Sequence, residues 1–158
     1  PIQQGLADQN PDVDAIYRLT CKLPIKFKAS HNISLGNGSI CPFNSQNTGW
    51  LKEAYPLMYL PSYCSFRMTD IWRSFIAQRI AWTCDWSILF HKSTVVQKRN
   101  AHNLMRDFQD EISGYENNYK IMNNLMKLKL RIGIKNIKYN MLLCYRELVR
   151  IKLIDKKK

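Results

Sequence analysis

The sequence predicts an α/β domain followed by a basic α-helical tail. Over residues 1–118, short β-prone runs alternate with helical segments, which is typical of layered α/β domains. From residue 119 onwards the pattern is helical, with one interruption near Gly133. The chain has 158 residues, 46% of them hydrophobic, and is therefore long enough for one compact domain with its own core.

The first elements are predicted from alternation and from breaking residues. Residues 11–20 open with a turn signal and then alternate apolar and polar side chains, which predicts a strand. A second short strand is predicted at residues 25–27. Residues 30–49 are rich in Ser, Asn and Gly and predict a loop, whose length is typical of functional or disordered segments. A short helix is predicted over residues 50–59, followed by a β-prone run at 63–66.

The middle of the chain has the strongest helical pattern. A helix is predicted over residues 71–84 because its apolar residues form one stripe, and Asp70 or the threonine before it is the expected N-cap. Residues 86–90 predict a buried strand, and residues 103–111 predict a further helix. Gly114 is then expected to break the helix.

The net charge of +12 is unevenly distributed. Residues 119–158 have twelve Lys or Arg against two acids, whereas residues 1–118 have twelve against ten. A nucleic-acid module should have a basic face with exposed aromatic residues across its fold, so this distribution does not favour nucleic acid as a partner. The tail itself is either a basic amphipathic helix on an anionic surface or, as we favour, a solvated helix.

Cysteine spacing and hydropathy exclude several classes of protein. No C-x-x-C pair is present, which argues against a zinc ribbon or a thioredoxin-type motif. No run of about 20 apolar residues occurs, so any membrane span is expected outside this chain. The sequence begins with Pro1 rather than Met, and we expect it to be a fragment or a processed piece. The N-x-S sequences at residues 32–34 and 37–39 favour a lumenal location.

Two groups of side chains are candidates for a metal site. Asp12 and Asp14 form a D-x-D pair, whose alternate acids can share one cation, although a simple turn before a strand is equally compatible. His102 is a candidate for completing a metal shell or contacting phosphate, with Arg99 as an anion partner. A lone histidine more often forms a structural hydrogen bond.

The polar run from Asn44 to Thr48 is a candidate sugar-binding loop. Its uncharged side chains both donate and accept hydrogen bonds, as sugar hydroxyls require. A loop whose Asn and Ser side chains bond to its own backbone is the alternative that composition alone favours.

The segment from Arg67 to Arg73 places a carboxylate between two arginines. At the first turn of a helix, the macrodipole would stabilise ionised Asp70, which suits it to grip an acceptor hydroxyl or to act as its base. Both arginines can meet diphosphate oxygens in a bidentate manner. The alternative is an N-cap with a surface ion pair. Further along, Asp107 and Glu111 have the i,i+4 spacing of a paired acid site, but we favour a solvated helical face.

Several blocks, in order, resemble the STELLO glycosyltransferase-like family. They cover roughly residues 5–125, and the most specific are Asn44-Ser45-Gln46-Asn47-Thr48 and Asp70-Ile71-Trp72-Arg73. The residues after about 125 lie outside the resemblance. The matching blocks are residues 5–8, 11–20, 42–48, 67–79 and 97–103, together with 107–108.

This family is similar to the reversibly glycosylated polypeptides, the UDP-arabinopyranose mutases. The resemblance implies a GT-A-like nucleotide-sugar fold, of which residues 1–118 are the C-terminal, acceptor-side part and residues 119–158 a basic helical tail. A donor-binding half with the principal D-x-D would precede this segment. The resemblance implies Asp70 as the catalytic carboxylate and places Asn44 and Asn47 at the sugar pocket. With the residues indicated by their own chemistry, the predicted substrate-binding set is Asn44, Gln46, Asn47, Arg67, Trp72, Arg73 and Arg99.

The function that the resemblance implies is transfer of a sugar from a nucleotide-sugar donor to a glycan or protein acceptor. A divalent cation, Mn²⁺ or Mg²⁺, is the expected cofactor, and the lumenal side of a Golgi or other secretory membrane is the expected location. A catalytically inactive scaffold that binds partners in the secretory pathway is the first alternative. A nucleic-acid binder acting through the basic tail is the second.

Overall fold

A computed structural model describes residues 1–28 and 31–155. Within them, four strands and four α-helices form a mixed α/β fold, so the predicted α/β class is confirmed. The elements in chain order are β1 (Ile2–Gln9), α1 (Ala15–Thr20), β2 (Ile33–Leu35), β3 (Thr48–Trp50), α2 (Thr69–Ala81), β4 (Ile88–Gln97), α3 (Leu104–Lys127) and α4 (Ile137–Arg150). Short 3₁₀ helices lie at Lys52–Met58, Phe66–Met68, Trp82–Cys84 and Ile134–Asn136.

The sheet is mixed, with the strand order β2-β4-β1-β3. β1 and β4 are parallel in the centre, with Ile2 opposite Ile88 and Gln9 opposite Gln97. β2 is antiparallel to β4, and β3 is antiparallel to β1. A crossover that contains α2 joins the two central strands, as a parallel pair requires a long connection.

Helix α2 lies in the core and is buried on most of its circumference. Nine of its thirteen residues are buried, including polar Ser74 and Gln78. Gln78 uses its side-chain amide like a backbone: Oε1 accepts from Cys41 N at 2.9 Å and Nε2 donates to Cys41 O at 2.8 Å. Ser74 Oγ accepts from Phe43 N at 3.1 Å. These bonds satisfy the buried polar groups and hold the segment before Asn44 against α2.

Two early predictions are wrong. Residues 11–20 are not a strand: α1 begins after Asp14, whose carboxylate accepts from Tyr17 N at 3.0 Å and caps the helix. Six residues are too few to separate a period of two from one of 3.6. Residues 25–27 do not form a strand either, because Ile25 makes only an isolated bridge to Gln9. The loop predicted at residues 30–49 contains the short strand β2 and the first two residues of β3, while residues 29–30 lie outside the described part of the chain.

The middle elements follow the predictions more closely. The predicted helices at residues 50–59 and 71–84 are present as the 3₁₀ helix Lys52–Met58 and as α2 with its following 3₁₀ turn. Neither Thr69 nor Asp70 is the N-cap: the helix starts at Thr69, and Met68 holds that position without a side-chain bond. The predicted strand exists as β4, although it extends to Gln97.

The predicted helix break at Gly114 is wrong, because α3 continues from Leu104 to Lys127. Gly114 instead permits close packing. A Cβ at this position would lie 2.1 Å from Met68 Sδ, so the glycine lets α3 approach the 3₁₀ turn Phe66–Met68. The glycine is there for space rather than for backbone freedom.

Residue 118, the predicted boundary of the tail, lies inside α3. Side chains beyond it belong to the same hydrophobic core as α2; they are Ile121, Leu125, Ile137, Cys144, Leu148 and Ile154. Asn140 is fully buried and ties down the turn before α4, because its amide exchanges hydrogen bonds of 2.9 and 2.8 Å with the Arg131 backbone. No helix in residues 1–28 and 31–155 is long and apolar enough to cross a membrane.

Candidate functional site

A cleft of about 770 Å³ lies between the start of α2, the segment before α1, and the first half of α3. Its lining residues are far apart in sequence, and the predicted site residues among them come from four different motifs of the sequence analysis. The sequence-predicted site residues that line it are Asp12, Asp14, Asn44, Arg67, Asp70, Arg99 and His102. An exposed aromatic ring, Phe66, also lines it with 88% of its surface open.

Asp70 lies in the first turn of α2, where the helix dipole stabilises a negative charge. One carboxylate oxygen, Oδ2, accepts a hydrogen bond from Ser45 N at 2.9 Å. In the described residues, the other oxygen has no hydrogen-bond partner. Asp70 therefore has one fixed oxygen and one oxygen free to accept a proton or hydrogen bond from a molecule in the cleft.

Arg67 connects α2 to the acids of α3. Its guanidinium pairs with Asp107, and Nη1 lies 3.9 Å from Glu111 Oε1. Asp107 and Glu111 are both at least nine-tenths buried. The prediction that they lie on a solvated helical face is therefore wrong. In the sequence, only their i,i+4 spacing indicated that these two acids act together. Their burial depends on the packing of α1 and Arg67 over α3.

His102 links Arg67 to a second arginine. Its Nδ1 lies 3.3 Å from Asp107 Oδ2 and 3.3 Å from Arg67 Nη2. Its Nε2 accepts from Arg99 Nε–H at 3.2 Å, and Arg99 also pairs with Asp12. Because Nε2 accepts the hydrogen bond from Arg99 Nε–H, the neutral ring that fits these contacts has its hydrogen on Nδ1, where it faces Asp107 Oδ2. Arg67 Nη2 is then a neighbour of Nδ1 rather than its hydrogen-bond partner, since both groups are donors.

Glu111 fixes the start of α1 to α3. Its Oε2 accepts from Ala15 N at 2.7 Å and from the Tyr115 hydroxyl at 2.6 Å. The pKa of Tyr115 is raised, mainly by burial and further by the hydrogen bond to Glu111 and its charge, so the phenol stays protonated as a donor. The carboxylate thereby satisfies a backbone N–H that would otherwise be buried without a partner.

The turn that bears the D-x-D pair is held by Arg18 of α1. Arg18 donates to Asn10 Oδ1 at 2.6 Å and to Val13 O at 3.2 Å, and burial lowers its pKa. Asp12 pairs with Arg99, while Asp14 caps α1. Both carboxylates are therefore already engaged within the chain.

Among residues 1–28 and 31–155, no group of three or more His, Cys, Asp or Glu side chains could hold a metal ion. Asp12 and His102 are joined through Arg99, whose positive charge opposes a cation between them. The described residues therefore do not fit a metal centre of their own, and a divalent cofactor stays a prediction.

Two predicted substrate-binding residues are buried away from the cleft. Trp72 is 2% exposed and donates from Nε1 to Asn118 at 3.1 Å. Arg73 is 3% exposed, donates to Ser45 Oγ at 3.0 Å, and has its guanidinium 4.8 Å from the Trp50 ring centroid. Burial lowers the pKa of Arg73, an effect that the charge of Asp70 partly offsets. Both side chains therefore pack in the interior next to Asp70 and support the first turn of α2.

The predicted sugar-binding amides bond largely to the protein itself. Asn44 donates to Asp12 O at 3.3 Å, and Gln46 accepts from Asp12 N at 3.0 Å. Asn47 donates to Leu6 O at 3.0 Å and lies outside the cleft. These three contacts join the loop to distant segments of the chain, whereas the self-bonded alternative applies to Asn44 Oδ1, which accepts from Gln46 N at 3.1 Å. Of the three amides only Asn44 lines the cleft.

Comparisons with known proteins bear on the same segments. A family model described as STELLO glycosyltransferases matches residues 67–158, which is more than half of the chain. The match contains α2, β4, α3 and α4, and so includes the residues after about 125 that lay outside the resemblance in the sequence.

Two proteins of Arabidopsis thaliana are similar to this chain. Probable glycosyltransferase STELLO2 is 32% identical over 100 residues, which cover 60% of this chain and 13% of that protein. Probable glycosyltransferase STELLO1 is 33% identical over 87 residues, which cover 51% of this chain and 11% of that protein. The matched region is thus a small part of each relative.

Proposed function

Because the chain belongs to the STELLO glycosyltransferase family, we propose that it forms the acceptor side of a GT-A-like domain that transfers a sugar from a nucleotide-sugar donor to an acceptor. One observation carries the proposal: a cleft between α2 and α3, both inside the family match, contains a carboxylate with one free oxygen. That carboxylate is Asp70.

In this proposal Asp70 takes the proton of the acceptor hydroxyl as the hydroxyl oxygen bonds to the anomeric carbon of the donor sugar. The bond from that carbon to the diphosphate oxygen breaks, and the nucleoside diphosphate leaves with the electron pair. The bond from Ser45 N fixes the carboxylate and leaves the other oxygen for the proton. Helix α2 is held by its burial and by Arg73, so the base is mounted on a rigid element rather than on a mobile loop.

Arg67 and Arg99 are the proposed partners of the anionic groups of the donor. Each already pairs with a carboxylate, but a guanidinium has five N–H donors and can bond to an acid and a phosphate at once. Exposed Arg106 also lines the cleft and adds a third cation. We propose that the divalent cation is held by the donor diphosphate and by parts of the parent protein outside this chain.

The exposed ring of Phe66 favours a glycan over a protein as the acceptor. A pyranose has an apolar C–H face that packs on an aromatic ring, while its hydroxyls bond to polar groups nearby. Phe66 is held in place because its carbonyl accepts from Thr69 Oγ1 at 2.9 Å and because Met68, two residues on, is buried. In this scheme the reaction takes place in the lumen of a secretory compartment.

Substitution of Asp70 by asparagine in the intact parent protein tests the proposal. The amide keeps the size of the side chain but cannot take a proton, so turnover of the donor in the presence of acceptor should fall by about 10²- to 10⁴-fold. Asp85→Asn is the matched control: Asp85 is exposed, lies outside the cleft, and has a φ of 57° that asparagine tolerates. Equal turnover in Asp70→Asn and wild type would disprove the catalytic assignment.

A scaffold without catalysis is the second candidate function, and a different observation favours it. Arg67, His102, Arg99, Asp107 and Asp12 form a continuous set of mutually bonded side chains along the cleft, an arrangement that stabilises structure without a ligand. For a scaffold, the folded parent would have no donor turnover, and Asp70→Asn would leave its binding to partner proteins unchanged.

A further inference from the structure

The segment between Asn32 and Ser39 contains two N-x-S sequences, the acceptor sequence for N-linked glycans. Sequence alone does not separate them, since both have the same pattern and lie five residues apart. The Asn and Ser side chains of both sequences are exposed, and the structure separates the two by backbone conformation: the first enters a strand, and the second lies in a turn.

In the first sequence, Ile33 and Ser34 belong to β2. Ile33 is opposite Phe90 and Ser34 is opposite Leu89 in β4. The backbone of this sequence is therefore held in an extended sheet conformation. In the folded chain, an enzyme that must wrap around the Asn and the hydroxyl two residues on would have to detach β2 from β4.

In the second sequence, residues 36–39 form a turn in which Ser39 N donates to Gly36 O at 3.1 Å. Gly38 has a φ of +87°, a conformation that glycine adopts without strain. Asn37 and Ser39 are both exposed. In the described part of the chain, neither side chain makes a hydrogen bond, so both are free to enter an enzyme site without loss of a native contact.

We propose that Asn37 is an N-glycosylation site and that Asn32 is not. The proposal rests on the lumenal location within the proposed function and is independent of transferase activity. The donor is a lipid diphosphate-linked oligosaccharide. A bond forms between Asn37 Nδ2 and the anomeric carbon, the bond from that carbon to the diphosphate oxygen breaks, and the amide proton and the lipid diphosphate leave.

The position of the glycan has a structural consequence. β2 is an edge strand of the sheet, and its Ile33 is 59% exposed. Edge strands with exposed apolar residues tend to pair with other chains. A bulky, hydrated glycan two residues after the end of β2 would obstruct such pairing at this edge.

The test is expression of the full-length parent in eukaryotic cells, followed by removal of N-glycans with an amidase that converts the glycosylated Asn to Asp. The release is carried out in water labelled with heavy oxygen, because Asn37 precedes Gly38 and an Asn-Gly pair also converts to Asp without a glycan. Mass spectrometry of the peptide that contains residues 31–40 then identifies the modified position by incorporation of the label. Four variants are compared with wild type: Asn37→Gln and Ser39→Ala remove the proposed site, whereas Asn32→Gln and Ser34→Ala remove the other. Protease protection in sealed microsomes reports in parallel whether the segment is lumenal.

The expected result is conversion at residue 37 in wild type, Asn32→Gln and Ser34→Ala, with none at residue 32. Ser39→Ala retains Asn37 but removes the hydroxyl of the N-x-S sequence, and it should also lose the glycan. This variant shows that the loss in Asn37→Gln comes from the acceptor sequence and not from a general effect of replacing the asparagine. Conversion at residue 32, or an unmodified peptide from a protease-protected segment, would overturn the proposal. An accessible, unmodified segment would overturn both the site and the lumenal location, whereas loss of turnover in Asp70→Asn would still support the transferase.

Discussion

Replacement of Gly114 by alanine sets two effects of opposite sign against each other. In the interior of a long helix such as α3, alanine is more favourable than glycine by about 1 kcal/mol. The added Cβ, however, would lie 2.1 Å from Met68 Sδ and 3.1 Å from its Cε. Met68 is only 6% exposed, so its side chain must move within a packed interior.

The packing cost should exceed the helix gain. Overfilling a packed core costs roughly 1–3 kcal/mol, because neighbouring side chains leave their preferred rotamers. Gly114→Ala should therefore lower the free energy of unfolding by about 1 kcal/mol once the gain of about 1 kcal/mol is subtracted. The sulfur lies in the middle of the Met68 side chain, so flexibility at its tip relieves only part of the overlap.

A double-mutant cycle separates the two effects. Met68→Ala alone should cost about 2–5 kcal/mol, as expected for a truncated core side chain. In that background, Gly114→Ala should change sign and stabilise by about 1 kcal/mol, because only helix propensity remains. Urea unfolding monitored by circular dichroism measures all four proteins. Gly36→Ala is the control, since a Cβ there meets no atom within 4 Å.

Stabilisation by Gly114→Ala with Met68 intact would refute the packing cost, because the overlap would then be relieved without loss of stability. An equal effect of Gly114→Ala with and without Met68 would also refute it. An interaction energy of about 2 kcal/mol between the two sites is expected for residues in direct contact.

Two further predictions concern buried polar groups. Glu111→Ala should lower the free energy of unfolding by about 3–5 kcal/mol, because it leaves Ala15 N–H and the Tyr115 hydroxyl without their acceptor. Glu111→Gln, which keeps an oxygen acceptor, should lower it less. Urea titrations measure both variants, and a loss below about 1 kcal/mol for Glu111→Ala would contradict the prediction. Burial raises the pKa of Cys64 to about 11 and that of Cys144 to about 12, from an ordinary 9.0. The stability that these thiols contribute is complete below about pH 9 and is lost as the pH rises to about 11 for Cys64 and about 12 for Cys144, so the free energy of unfolding should fall across that interval. A Cys64→Ala, Cys144→Ala double variant should fall less steeply, and equal slopes would refute the assignment.

The elements that the sequence predicted well have strong patterns of their own. Helix α2 was expected from a stripe of apolar residues, and β4 from a compact apolar run. By contrast, β1 was missed, since it has few large apolar side chains and is a strand only because β4 and β3 pair with it on either side. Helix α1 was misjudged because its cap at Asp14 and its contact with Glu111 outweigh a short alternating pattern.

The candidate site, like the fold, was predicted only in part from the sequence. The motifs at residues 44–48 and 67–73 named the candidates, but a motif cannot say which polar group is already satisfied. Asp70 lines the cleft with a free oxygen, whereas Arg73 is buried against Phe43 and Trp50. Their residue types suit either outcome, and the difference comes from the direction in which each side chain leaves α2.

By itself, the sequence determined the family, through several motifs in fixed order, and the α/β class, through local periodicity. Both are properties of residues near one another in the chain. Only the tertiary structure decided that Asp107 and Glu111 are buried partners of Arg67, and that Gly114 makes room for Met68. These contacts join residues about 40 positions apart. Burial and hydrogen-bond pairing arise only when separate elements pack, and no local pattern encodes them.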